Sequence, residues 1–140
     1  MNRLLLASHG TLAEGMRNTA ELLMGKNENV EILCAYVDEE SKDLSSMIER
    51  WMSKRKAEDQ WIVITDIFGG SINNEFMMKM DGGNYWLISG MNLPLVLSLW
   101  TETENISEGQ IETLIKESIG GVVFCNKVLS EYKPEEEEDF

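Results

Sequence analysis

The chain has 140 residues, 43% of them hydrophobic and 26% charged, which fits one ordinary globular domain and rules out a disordered or fibrous protein. Twelve Lys and Arg against 25 Asp and Glu leave a formal charge of −13, which excludes a general nucleic-acid binder with its basic stripe and a protein that docks on anionic lipid. One histidine and two cysteines, with no CxxC, leave little from which to build a zinc site.

In chain order, Leu4-Leu5-Leu6-Ala7 is a short apolar run that reads as a buried first strand, ending at Ser8-His9-Gly10. Leu12, Met16, Thr19, Ala20, Leu22 and Leu23 recur at helical spacing, and Gly25 stops that helix. Val30 to Val37 predicts a second strand, broken at Asp38. Leu44, Met47, Ile48, Trp51 and Met52 mark a second amphipathic helix. Trp61 to Asp66 is the clearest strand, and Phe68-Gly69-Gly70-Ser71 is the turn after it. Asn73 to Met80 predicts a third helix, whose Met77, Met78 and Met80 read as packing, as do the four tryptophans. A strand over Tyr85 to Ser89 leads into the loop Gly90-Met91-Asn92-Leu93-Pro94, with Pro94 at the start of a further helix. Ser107 caps another helix, Gly120-Gly121 ends it, and Val122 to Cys125 predicts a final short strand. Cys34 and Cys125 sit in apolar runs and read as buried free thiols.

Strand and helix alternate, which predicts an α/β fold: a doubly wound, mainly parallel sheet with helices on both faces. No internal repeat or linker interrupts residues 1–129, expected as a single domain. Residues 130–140 hold six acidic side chains against Lys133 and read as a mobile, solvated acidic tail, leaving −8 on the body. No stretch reaches the roughly 20 apolar residues of a membrane span, and the N-terminal run is too short for a signal peptide, so a cytoplasmic location is expected.

In such sheets ligands bind beyond the carboxyl ends of the strands. Gly10 to Gly15 has the G-x4-G spacing of a nucleotide-binding loop, but Met16-Arg17 stands where Lys-Ser/Thr is needed, and no G-x-G-x-x-G occurs. Neither a nucleotide nor a dinucleotide is expected, and no metal. What the first loop does hold is His9, at a strand end, with a side chain whose neutral nucleophilic form exists near neutral pH. Asp66 ends the third strand. If strands one and three are neighbours, Asp66 and His9 project from one edge, and the carboxylate can fix the ring tautomer. Gly69-Gly70-Ser71 opens a helix, where glycines permit close approach, free N–H groups favour an anion and Ser71 adds a hydroxyl. Thr11 is a further candidate donor, with an N-cap as its plainer role. Together these residues describe a site for a phosphoryl group on histidine.

Ser8-His9-Gly10 followed by Ala13 and Gly15 resembles the S-H-G-x-x-A-x-G signature of the mannose/fructose/sorbose-type IIA domain of the bacterial phosphoenolpyruvate-dependent sugar phosphotransferase system (PTS). Asp66 to Ser71 resembles that family's D-x-x-G-G-S-P-x-N, and Gly90 to Pro94 its G-x-N-L-P. The order and positions match over about residues 1–129. One departure is Ile72 where the family has proline; Asn74 fits the later asparagine. The resemblance implies a phosphotransferase without cofactor. In it, His9 takes a phosphoryl group on Nε2 from the phosphocarrier HPr, with Asp66 on Nδ1. It then passes the group to a IIB subunit, and through it to the IIC/IID membrane components. Gly69, Gly70, Ser71 and Thr11 are the expected phosphate-binding residues. The resemblance also implies a homodimer with a C-terminal strand, here Val122 to Cys125, exchanged between copies, and a free-standing IIA subunit. A negative body suits a carrier with basic groups around its own histidine. Two other readings fit the residues: a metal-dependent, receiver-like domain phosphorylated on Asp66, with Asp38, Glu39 and Glu40 as cation ligands, and a regulatory interaction module on the same fold.

Overall fold

The computed structural model describes residues 1–82 and 84–132. Four strands, β1 (Asn2–His9), β2 (Val30–Ala35), β3 (Gln60–Thr65) and β4 (Tyr85–Ser89), form one sheet in the order β2-β1-β3-β4. All three pairings are parallel, with His9 beside Ala35 and Ala7 beside Thr65. The helices are α1 (Leu12–Met24), α2 (Leu44–Lys54), α3 (Ser71–Met78), α4 (Leu93–Trp100), α5 (Glu108–Ile119) and α6 (Cys125–Ser130).

The two-residue period of a strand sends β1 side chains alternately to opposite faces. Leu4 and Leu6 join Ala13 and Ala20 of α1, Leu95, Val96 and Leu99 of α4, and Ile111 of α5 in one core cluster. Leu5 and Ala7 join Leu44, Ile48 and Trp51 of α2 with Ile72 and Phe76 of α3 in the other. Helices therefore cover both faces, as the doubly wound reading requires. A central strand buried on both sides has no use for alternation, which is why β1 reads as a continuous apolar run.

Several boundaries differ from expectation for physical reasons. β2 stops at Ala35 because Tyr36 takes φ +65°, a left-handed conformation incompatible with a strand, and donates its N–H to Ser41 O (3.0 Å). α3 begins at Ser71, with Gly70 as N-cap, and ends at Met78, and Met77, Met78 and Met80 are largely exposed rather than packed. Ile72, which replaces the family proline, is fully buried beside Phe76, so burial anchors the start of α3 where a fixed φ would otherwise do so. The strand expected over Val122 to Cys125 is not formed. Cys125 instead opens α6, and Val122, Val123 and Phe124 are 90%, 54% and 71% exposed. A strand exists only through its ladder partner, and this segment has none among the described residues. Cys34 is partly buried and Cys125 exposed, and both are free thiols. Residues 133–140 of the expected acidic tail lie outside the described residues. Among the described residues no helix is long and apolar enough to cross a membrane.

The Gly90–Pro94 loop is tied to the end of β3. The Thr65 carbonyl accepts from Gly90 N–H (3.1 Å) and Met91 N–H (3.0 Å), and the Thr65 hydroxyl donates to Asn73 Oδ1 (2.8 Å) and lies 2.9 Å from Ser89 Oγ. Asn92 caps α4 by accepting from Leu95 N–H (2.9 Å), while its amide donates to Ser118 O (2.9 Å) of α5. Gly90 has φ +96°, which its lack of a side chain permits.

Candidate functional site

The first loop is built around a buried serine. Ser8, with no exposed surface, accepts the Ala13 N–H on Oγ (2.8 Å) and so caps the first turn of α1. Gly10 turns at φ +58° and donates to Ala35 O (2.8 Å), locking the end of β1 to β2. His9, between these two anchored residues, faces outward, its side chain 42% exposed.

Because β1 and β3 are neighbours, Asp66 follows β3 at the same edge. Its Oδ2 accepts the His9 backbone N–H at 2.8 Å and lies 2.8 Å from His9 Nδ1, and its Oδ1 accepts from Ile67 N–H (2.9 Å). Burial pushes the Asp66 carboxyl up, but the hydrogen bonds from His9 and Ile67 and the charge of an imidazolium together outweigh it, and the group lies below its ordinary value. An ionised carboxylate can only accept, so the proton of a neutral His9 resides on Nδ1 and the Nε2 lone pair is free.

On the other side of the ring, Ser71 Oγ lies 3.3 Å from His9 Nε2. Ser71 is the first residue of α3, where backbone N–H groups lack intrahelical partners. Gly69 has φ +84°, and its carbonyl accepts from Asn74 Nδ2 (3.3 Å). Gly70 contributes space more than a donor: its N–H is turned onto Ile67 O at 3.3 Å. A Cβ added there would stand 2.9 Å from Ile67 Cγ2 and 3.2 Å from His9 Cε1. Gly70→Ala is therefore expected to displace the imidazole and slow any chemistry on it by about tenfold or more while leaving the melting temperature within a few degrees. Equal rates for variant and parent would show that the ring has room to spare. Thr11 is the N-cap of α1, exposed, with no side-chain cap bond, and the contacts to the His9 ring come from other residues.

Sequence reasoning passed over Tyr36. Its ring centroid lies 5.6 Å from that of His9, and its hydroxyl 3.0 Å from Ser71 Oγ. Asp38, considered as a cation ligand beside Asp66, instead accepts the Ser41 N–H (2.8 Å) within its own turn. Among the described residues no three His, Cys, Asp or Glu side chains gather as a metal site.

The family model for EIIA-man, the PTS system fructose IIA component, matches residues 3–116. The chain belongs to this family. It is thus a PTS IIA component of the mannose/fructose type, a transferase family of sugar transport. A crystal structure described as a candidate PTS permease from Klebsiella pneumoniae superposes with a TM-score of 0.84 at 38% identity, over 91% of this chain and 93% of that one. The PTS IIA protein associated with a fucose utilisation operon in Streptococcus pneumoniae shares the fold, with a TM-score of 0.77 at 22% identity over 91% and 96% of the two chains. The mannose-specific EIIAB component of Escherichia coli K12 is 27% identical over 95 residues, 67% of this chain. The match spans only 29% of that relative's length.

Proposed function

We propose that this IIA component accepts a phosphoryl group from phospho-HPr on His9 Nε2 and passes it to a IIB subunit, which delivers it to the IIC/IID membrane components. The observation that supports this most strongly is the carboxylate of Asp66 on Nδ1, which leaves Nε2 unprotonated and facing out beside a serine hydroxyl. In the transfer, the Nε2 lone pair forms the new N–P bond as the N–P bond to the donor imidazole breaks and that nitrogen regains its pair. No proton moves. The ring becomes a phosphorylated cation with Nδ1–H still on Asp66, and the carboxylate offsets its charge. Ser71, with the Gly69 backbone and the first N–H groups of α3, faces the phosphoryl oxygens, while Gly70 supplies the room beside the ring. Thr11 is kept as an outer candidate. The test is incubation with phosphoenolpyruvate, enzyme I and HPr, followed by assay for an acid-labile, base-stable adduct. Failure to label would end the proposal.

The proposed working unit is a homodimer. Among the described residues β4 has a neighbour on one side only, and Phe68, Met77, Met80, Leu87, Ile88 and Ile115 line a concave apolar surface beside it. The exposed apolar segment at residues 122–124 is the complementary element, on a second copy. Light scattering is expected to give twice the chain mass, and Val123→Asp to give a monomer by placing a charge in the joint. A monomeric parent, or an unaffected dimer in the variant, would refute this assembly.

A further inference from the structure

Tyr36 lies outside all three signature motifs, yet the fold constrains it heavily. Its φ of +65° is one that residues with side chains rarely adopt, and such conformations cluster where function over-determines the backbone. The turn that holds it is knit by four hydrogen bonds. Tyr36 N–H donates to Ser41 O (3.0 Å), the buried Ser41 Oγ accepts from Val37 and Asp38 N–H (2.9 Å each), and Asp38 Oδ1 accepts from Ser41 N–H (2.8 Å). The result places the phenol ring against His9, with the planes at 31°, and its hydroxyl on Ser71.

The direction of each bond follows from the next. Asp66 accepts from Nδ1, so in the neutral ring that attacks phosphorus Nε2 can only accept. Ser71 must then donate to Nε2, which leaves Ser71 Oγ as an acceptor, and Tyr36 must be the donor to it. We infer that Tyr36 is a positioning residue for phosphoryl transfer: by donating to Ser71 Oγ it holds the serine hydroxyl beside Nε2, so that its proton turns from the Nε2 lone pair to a phosphoryl oxygen as phosphorus takes that lone pair. The inference rests on His9 as the phosphoryl acceptor. Without the phenol hydroxyl, the Ser71 hydroxyl is free to rotate away, and transfer loses a pre-placed donor.

The test is a double-mutant cycle of Tyr36→Phe, Ser71→Ala and the double variant, read in two ways. The phenylalanine keeps the ring packed on His9, so it removes only the hydroxyl. In transfer from phospho-HPr, Tyr36→Phe is expected to lower the maximal rate about three- to tenfold with little change in the HPr concentration for half-saturation. In the Ser71→Ala background the same change should cost less than about twofold, because Tyr36 acts through Ser71. Independent, multiplicative losses would overturn the inference. The second reading uses the unphosphorylated protein, whose single histidine gives one imidazole set of nitrogen-15 signals. Tyr36→Phe should move the Nε2 signal toward that of an unbonded acceptor nitrogen, and Ser71→Ala further, with the double variant equal to Ser71→Ala. An Nε2 signal indifferent to Tyr36→Phe overturns the inference even if the rates fall. If the parent protein takes no phosphoryl label, the phosphocarrier reading fails, while the nitrogen signals still decide whether Tyr36 orients Ser71.

Discussion

His9→Ala is expected to lose the whole of the acid-labile phosphoryl label, because the chain contains no second histidine to take over. The variant should remain folded. The imidazole is 42% exposed, and the backbone N–H of residue 9 keeps its bond to Asp66 Oδ2 when the ring is removed. A melting temperature close to the parent's, alongside zero label, separates lost chemistry from lost structure. Label retained by His9→Ala would move the acceptor elsewhere and defeat the mechanism outright.

Asp66→Asn is expected to slow transfer by on the order of 10⁴-fold, the scale seen when a carboxylate that orients an imidazole is replaced by its amide. Whichever way its amide turns, asparagine sets its NH2 against a backbone N–H that Asp66 accepts, from His9 or from Ile67, and it brings no charge to hold the proton on Nδ1 or to offset a phosphorylated ring. Stopped-flow transfer rates should fall far more than affinity for HPr, since the carboxylate is largely buried beneath the ring. The opposite ranking would place Asp66 in docking. The same substitution carries a pH signature. The folded-state carboxyl lies below its ordinary value of 3.8, so its contribution to stability is present above that value and is lost as pH falls through the lower folded value. Urea unfolding should therefore show the parent more stable than Asp66→Asn near neutrality, with the gap closing in acid. A gap that widens in acid would reverse the sign of the Asp66 effect.

The sheet and the heart of the site were legible because strand ends are punctuated. Leu4–Ala7 and Trp61–Thr65 are too apolar to be anything but buried strands, and His9 and Asp66 are the polar residues that stop them. The parallel pairing of β1 with β3 then does the rest. Tyr36 was missed because its role depends on a positive φ, which no residue type but glycine advertises. A weaker signal existed: β2 also borders β1, and the residue after the one paired with His9 is Tyr36. The apolar run at 122–125, which forms no strand among the described residues, was legible only in part. Composition marks it as able to pair, but pairing needs an edge, and which edge, in which copy, is not written in the run itself. The methionines of α3 misled likewise: an apolar stripe tells that a surface wants cover, and not whether the cover comes from the same chain.

The ties from Thr65 to Gly90, Met91, Asn73 and Ser89 give the three signature motifs different standing. The first two carry groups on or against the imidazole, whereas the loop at Gly90–Pro94 holds the end of β3, caps α4 and fastens α5 through Asn92. Under the proposed mechanism, a paralogue that kept this loop but lost the equivalents of His9 or Asp66 would keep the architecture and its surfaces and would be inert as a carrier. On that mechanism, detection of the third motif alone is a marker of descent, and carrier activity is expected only where the imidazole and its carboxylate occur together.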